Sequence, residues 1–103
     1  MKIIKKKNEF QRIFSEGKSY SDGKILLIVA EGSGRVAFAA GKKIGSAPVR
    51  NRAKRLLREC VRQTKENISE KADVILMARA GIVGKKLGEV LESFEKLRKK
   101  AGI

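Results

Sequence analysis

Lys42-Lys43-Ile44-Gly45-Ser46-Ala47-Pro48-Val49-Arg50-Asn51-Arg52-Ala53-Lys54-Arg55-Leu56-Leu57-Arg58-Glu59-Cys60-Val61-Arg62-Gln63-Thr64-Lys65 is the stretch on which the fold turns. It holds nine Lys/Arg against a single acid, Glu59. Ser46 suits a helix N-cap, and Pro48 suits the first turn, where its missing N–H is harmless. At about 100° per residue, Val49, Ala53, Leu56, Leu57, Cys60, Val61 and Thr64 fall on one stripe. Asn51, Lys54, Arg55, Arg58, Arg62 and Lys65 fall opposite, with Arg50 and Arg52 on the flanks. The spacing predicts one long helix split lengthwise, with one side packed on a sheet and the other presenting cations.

Upstream of this helix, Arg35 to Gly41 reads as a strand. Val36, Phe38 and Ala40 share one side of it, and Ala37, Ala39 and Gly41 share the other, a smooth floor for a helix or a ligand. Gly32-Ser33-Gly34 is a turn signal, so Lys24 to Ala30, rich in branched residues, is the partner strand of a hairpin. Nearer the N-terminus, Asn8 is placed to cap a short helix, with Gln11 as a weak capping-box partner. Phe10, Ile13 and Phe14 give that helix an apolar face, and Gly17 ends it. Lys18 to Gly23 reads as a turn with a short extended piece around Tyr20. Downstream, Ala72 to Ala78 is a strand, and Leu87, Val90, Leu91, Phe94 and Leu97 mark a closing helix whose outer face mixes Glu and Lys. Helix, two or three strands, helix, strand, helix predicts an α+β two-layer sandwich. With no repeat, linker or low-complexity tract, residues 1–103 read as a single domain.

The chain carries 25 Lys/Arg and 11 Asp/Glu, net +14, and the quoted stretch supplies +8 of that. Positive charge so local is most easily offset by a polyanion, and nucleic acid is the usual one. With 35% charged residues and a longest apolar run of only Ile25 to Ala30, no membrane partner is expected. Lys2, Ile3 and Ile4 do not make a secretory signal, and a lone Cys60 fits a reduced, cytoplasmic setting. There is no histidine, no Cys/His cluster for zinc and no clearly convergent carboxylate pair. A protein-borne nuclease site needs a general base or carboxylates holding metal ions. The expectation is therefore no catalytic residue and no metal ligand in this chain. Asp22 and Asp73 suit turn and strand-start roles better than a metal at an RNA interface.

The run from Lys42 to Glu59, with Arg-Asn-Arg followed by Lys-Arg and Arg-Glu after a Lys-Lys-x-Gly turn, resembles the signature of the bacterial ribonuclease P protein subunit. Glu9 to Phe14 with Gly17-Lys18-Ser19 resembles that family's first helix. Arg35 to Phe38 and Asp73 to Arg79 resemble two of its strands. The likeness runs over roughly residues 5 to 98. It implies a four-stranded sheet with helices and a left-handed β-α-β crossover, as in the second domain of a small-subunit ribosomal protein; strand chirality alone predicts right-handed. It implies a subunit of the endonuclease that removes the 5′ leader from precursor tRNA. The RNA subunit is the catalyst and uses Mg2+, and the protein binds no cofactor itself. Implied partners are ribonuclease P RNA and precursor tRNA, with no DNA and a monomer in the holoenzyme.

By the same resemblance, Lys42, Lys43, Arg50, Asn51, Arg52, Lys54, Arg55, Arg58 and Arg62 bind the RNA subunit. Arg forks grip phosphate oxygens bidentately, and folded RNA is recognised by backbone and shape. A cleft between the first helix and the sheet holds the single-stranded leader, with Phe10, Phe14, Arg12, Lys18, Ile28 and Phe38 as its residues. Stacking on an aromatic ring tolerates any base, which suits a site that must accept many leaders. The chain departs from the family pattern at Gly41, usually Ser, at Pro48, usually aliphatic, and at Ile28, aromatic in some members.

Blander readings stand beside these. Phe10 and Phe14 also suit core packing, since Ile13 shares their face, and Cys60 suits packing. Lys2, Lys5, Lys6 and Lys7 read as a solubilising tail or a leader-phosphate contact, and Lys96, Arg98, Lys99 and Lys100 as a solvated helix end. The other function classes are a ribosomal or chaperone-like RNA-binding protein without an enzymatic role and a DNA-binding module using the basic helix. Neither requires the Arg50-Asn51-Arg52 arrangement.

Overall fold

The computed structural model describes residues 2–103. Among these residues one mixed sheet contains β1 (Lys2–Ile3), β2 (Lys18–Ser21), β3 (Ile25–Glu31), β4 (Arg35–Ala40) and β5 (Ala72–Ala78). Three helices accompany it: α1 (Lys7–Glu16), α2 (Ala47–Thr64) and α3 (Leu87–Ala101). The strand order is β1-β4-β5-β3-β2. β3 runs antiparallel to β2 and β5, whereas β4 is parallel to β1 and β5. α2 is thus the crossover of a β-α-β unit between parallel neighbours.

The sheet has five strands rather than four. Lys2 and Ile3 pair in parallel with Arg35 and Val36, and the Ile4 N–H donates to the Val36 carbonyl at 2.8 Å. Ile4 is buried while Ile3 stands 52% exposed. Part of the expected cationic tail is therefore a strand, because alternation places one isoleucine against the core.

Register assigns every strand residue to a face. Ile25, Leu27 and Val29 of β3 share a side with Val74 and Leu76 of β5 and with Val36 and Phe38 of β4. Leu26, Ile28 and Ala30 share the reverse with Ile75, Met77 and Ala37. The first side packs on α2, through Ala53, Leu57, Cys60 and Val61, and on α3, through Val90, Phe94 and Leu97. These two helices and the sheet are the main pair of layers. α1 adds partial cover on the reverse through Ile13, Phe10 and the neighbouring Ile4.

Helix ends differ from expectation in two places. α1 starts at Lys7 with Lys6 as N-cap, and Asn8 lies inside the first turn. The Lys6 carbonyl accepts from the Glu9 and Phe10 N–H groups without any side-chain cap. Ser46 does occupy the N-cap of α2, but its hydroxyl makes no capping bond. Gly17 ends α1 in an extended conformation, φ −75°. A side chain there would collide with the Ile13 carbonyl and with Ile28, so the strand leaves the helix only if residue 17 is glycine.

Cys60 is wholly buried on the apolar stripe of α2. Burial pushes its thiol up to about 12, and Glu59 and Glu95 nearby add to the effect. The thiolate is the reactive form, so native protein at pH ~8 is expected to resist iodoacetamide while the urea-unfolded chain is alkylated readily. Equal labelling rates in the two states would contradict the packing.

Candidate nucleic-acid interface

α2 carries its cations where its apolar stripe requires them to be. Ala53, Leu57, Cys60, Val61 and Thr64 face inward, leaving Asn51, Arg52, Arg55, Arg58 and Arg62 exposed. Lys42 and Lys43 form a 3₁₀ turn just before the helix, also exposed. The left-handed Gly45, φ 148°, joins that turn to the helix start.

The cations are held in different ways. Arg50 donates to the Gly45 carbonyl at 3.2 Å, which ties the signature to the turn before it. Arg52 donates to the Lys85 carbonyl at 2.9 Å, pinning the loop between β5 and α3 beside the helix. The Arg58 guanidinium lies 5.7 Å from the Phe38 ring centroid, a cation–π contact that steadies it without neutralising it. Arg62 binds both carboxylate oxygens of Glu59, one through Nε at 2.8 Å. That contact, with Gln63, holds Glu59 at about 2, well below the usual carboxylate range. The one acid on the helix is therefore ionised and paired at neutral pH. Among the described residues, Lys42, Lys43, Asn51, Lys54 and Arg55 have no side-chain partner. They are free to meet phosphate.

The reverse side of the sheet carries a second feature. α1 is clamped there by Glu9 with Arg35 and by Arg12 with Asp73. Ile28, Ala30, Ala37 and Ile75 are buried there with Ile13 of α1, and Phe10, Leu26 and Met77, only partly buried, pack against that cluster. Phe14, one turn further along α1, is 51% exposed. The reverse side therefore carries one exposed aromatic ring next to a partly covered apolar surface.

The model of the family described as Ribonuclease P matches residues 1–102. The chain belongs to the ribonuclease P protein family. It is 46% identical over 79 residues to the ribonuclease P protein component of Natranaerobius thermophilus, covering 74% of this chain and 69% of that protein. The corresponding component from Pelotomaculum thermopropionicum is 40% identical over 104 residues, with 98% and 93% covered. The structure of the Staphylococcus aureus RNase P protein superimposes with a TM-score of 0.86 at 28% identity, covering 98% of this chain and 95% of that one. Members of the family are the protein components of a tRNA-processing ribonuclease.

As a ribonuclease P protein the chain shows where the expected cleft residues stand, and four differ from expectation. Phe38 pairs in register with Leu76 and so lies on the α2 side of the sheet, opposite Phe10 and Phe14. Lys18 pairs with Val29 and also faces that side. Strand alternation decides both. Ile28 is on the α1 side but only 4% exposed, within the buried cluster there. Arg12 is spent on Asp73 and on the Glu31 carbonyl at 2.9 Å. Leu26 and Met77, which sequence reasoning did not select, are partly buried on the α1 side of the sheet. Their signal was their alternation with Leu27 and Leu76, legible only once the face under α1 is known.

The two aspartates have structural partners. Asp22 accepts from the Lys24 and Ile25 N–H groups at 2.8 and 2.9 Å. Asp73 accepts from the Ser33 and Arg35 N–H groups at 3.1 and 2.9 Å besides Arg12. No group of His, Cys, Asp and Glu suited to a metal ion occurs among the described residues, and no helix there is long and apolar enough to cross a membrane.

A net charge of +14 on 103 residues destabilises the free protein through self-repulsion. Anions that settle on the native cationic face stabilise it by mass action. Replacing chloride by sulfate at equal ionic strength is expected to raise Tm by about 5 °C or more. Identical midpoints would show that the charges are already balanced within the fold.

Proposed function

We propose that this chain, one domain over residues 1–103, is the protein subunit that joins a catalytic ribonuclease P RNA in removing the 5′ leader from precursor tRNA. The observation that carries the reading is the division of labour across the sheet. One side presents α2, with Lys42, Lys43, Asn51, Lys54 and Arg55 unpartnered among the described residues. The other carries α1, with Phe14 half-exposed and Leu26 and Met77 only partly buried on the sheet. The first suits a folded RNA bound by its backbone. The second suits a single strand whose bases stack without regard to sequence.

On this reading the bond-breaking groups and the Mg2+ they use belong to the RNA. Asp22 already accepts from backbone N–H groups, and Asp73 from backbone N–H groups and Arg12, which supports structural roles for both. The protein acts in the cytoplasm as a monomer within the holoenzyme, supplying positive charge and holding the leader.

Adding the protein to ribonuclease P RNA at low magnesium is expected to accelerate leader removal; an unchanged rate would refute the proposal. Phe14→Ala is expected to weaken precursor tRNA binding to the holoenzyme by about 1–3 kcal/mol, with mature tRNA little affected. Equal losses for the two RNAs would remove the cleft from the account and leave the α2 face untouched.

A further inference from the structure

Phe38, displaced from the leader cleft, contributes to a different groove. Between α2 and the β1–β4 edge lies an open depression of about 560 Å³. Its apolar lining includes Ile3, Val36 and Phe38, and Arg55, Arg58 and Lys65 stand with them. Ile3 is among the most exposed large apolar side chains of the described residues, at 52%. Phe38 is only partly buried, with the Arg58 guanidinium already set over its ring. Glu59 also borders the groove, and Arg62 neutralises it.

An apolar surface among so many cations restricts the occupant. A purely hydrophobic partner would strip water from guanidinium and ammonium groups and return nothing. A nucleotide satisfies both parts, its base on the apolar surface and its phosphates on the cations. A regular A-form helix keeps its bases stacked inside, so the nucleotide must be unpaired. Arg55 and Arg58 belong both to this groove and to the exposed face of α2, which makes the two surfaces continuous.

We propose that this groove captures one unpaired nucleotide of the RNA subunit, its base packed against Phe38 and Ile3 and its flanking phosphates held by Arg55, Arg58 and Lys65. The capture rests on the reading of the chain as the partner of that RNA. It adds a base contact to what is otherwise a backbone-and-charge interface.

The test uses the full-length protein with ribonuclease P RNA and the variants Phe38→Leu, Phe38→Tyr and Ile3→Gln. Binding affinity and base-specific chemical modification of the RNA are read together. Wild-type protein is expected to shield one unpaired base. Phe38→Leu is expected to release that base and to weaken binding about 5- to 100-fold, while Phe38→Tyr retains both properties. Ile3→Gln changes an exposed position without touching the core, so it covers the case in which Phe38→Leu fails to fold. It is expected to restore reactivity at the same base.

An unchanged modification pattern in Ile3→Gln and in folded Phe38→Leu would overturn the groove while leaving the α2 interface standing. So would an affinity loss for precursor tRNA alone. Wild-type protein that does not bind the RNA at all would overturn the subunit reading as well.

Discussion

Affinity of the protein for ribonuclease P RNA is expected to fall about 10³–10⁵-fold between 50 and 200 mM salt, the range for some 6–10 phosphate contacts on the duplex scale. Among the described residues, Lys42, Lys43, Lys54 and Arg55 stand unpartnered on or beside α2. Arg58 rests on a ring that leaves its charge intact. Arg50 and Arg52 each give one arm to a backbone carbonyl and keep donors for phosphate, because a guanidinium carries five N–H groups. Arg62 contributes least, since Glu59 already neutralises it. Each phosphate met releases condensed counterions, and it is this release that added salt opposes. Titration across the salt range gives the slope directly. A slope near zero would mean that contacts other than phosphate carry the binding. Arg55→Ala is expected to make the slope shallower by about one contact, whereas Arg62→Ala changes it less.

The second large effect falls on stability. Asp73→Ala is expected to cost about 3 kcal/mol, the lower end of the range for breaking a buried ion pair, because Arg12 is partly solvated. The Asp73 side chain is only 4% exposed, and it makes three connections. It binds Arg12, which holds α1 to the sheet, and it accepts the Ser33 and Arg35 N–H groups that close the β3–β4 turn. Its removal leaves those donors without their acceptor. Gly32 belongs to the same arrangement, since any side chain there would overlap the Asp73 carboxylate. Asp73→Asn retains an acceptor but not the charge and should lose less. Urea titration in sulfate buffer measures these differences, and a midpoint for Asp73→Ala matching wild type would show that the carboxylate does not hold the turn. If α1 borders the leader site as proposed, the destabilised variant should lose precursor discrimination before it loses RNA binding.

The amphipathic split of α2 was legible in residue order because both its apolar and its cationic sets repeat at helical spacing and need no distant partner. The hairpin of β3 and β4, the strand β5 and the apolar face of α3 were legible for the same reason: each is a local period bounded by turn chemistry. The family signature likewise lies within one contiguous run, so the family could be recognised before any coordinates.

The cleft was less accessible to such reasoning. A strand's alternation divides its residues into two sets but does not say which set lies under which helix. Phe38 and Lys18 therefore went to the wrong side, and Leu26 and Met77 were passed over. Arg12 was placed among the leader-site residues because its partner, Asp73, is 61 residues away, and the two-residue β1 has no period to detect until β4 is beside it. Local chemistry set the elements and the charge. Only docking of α1 on one side of the sheet and α2 on the other decided which aromatic ring meets which groove, because that choice depends on contacts between segments far apart in the chain.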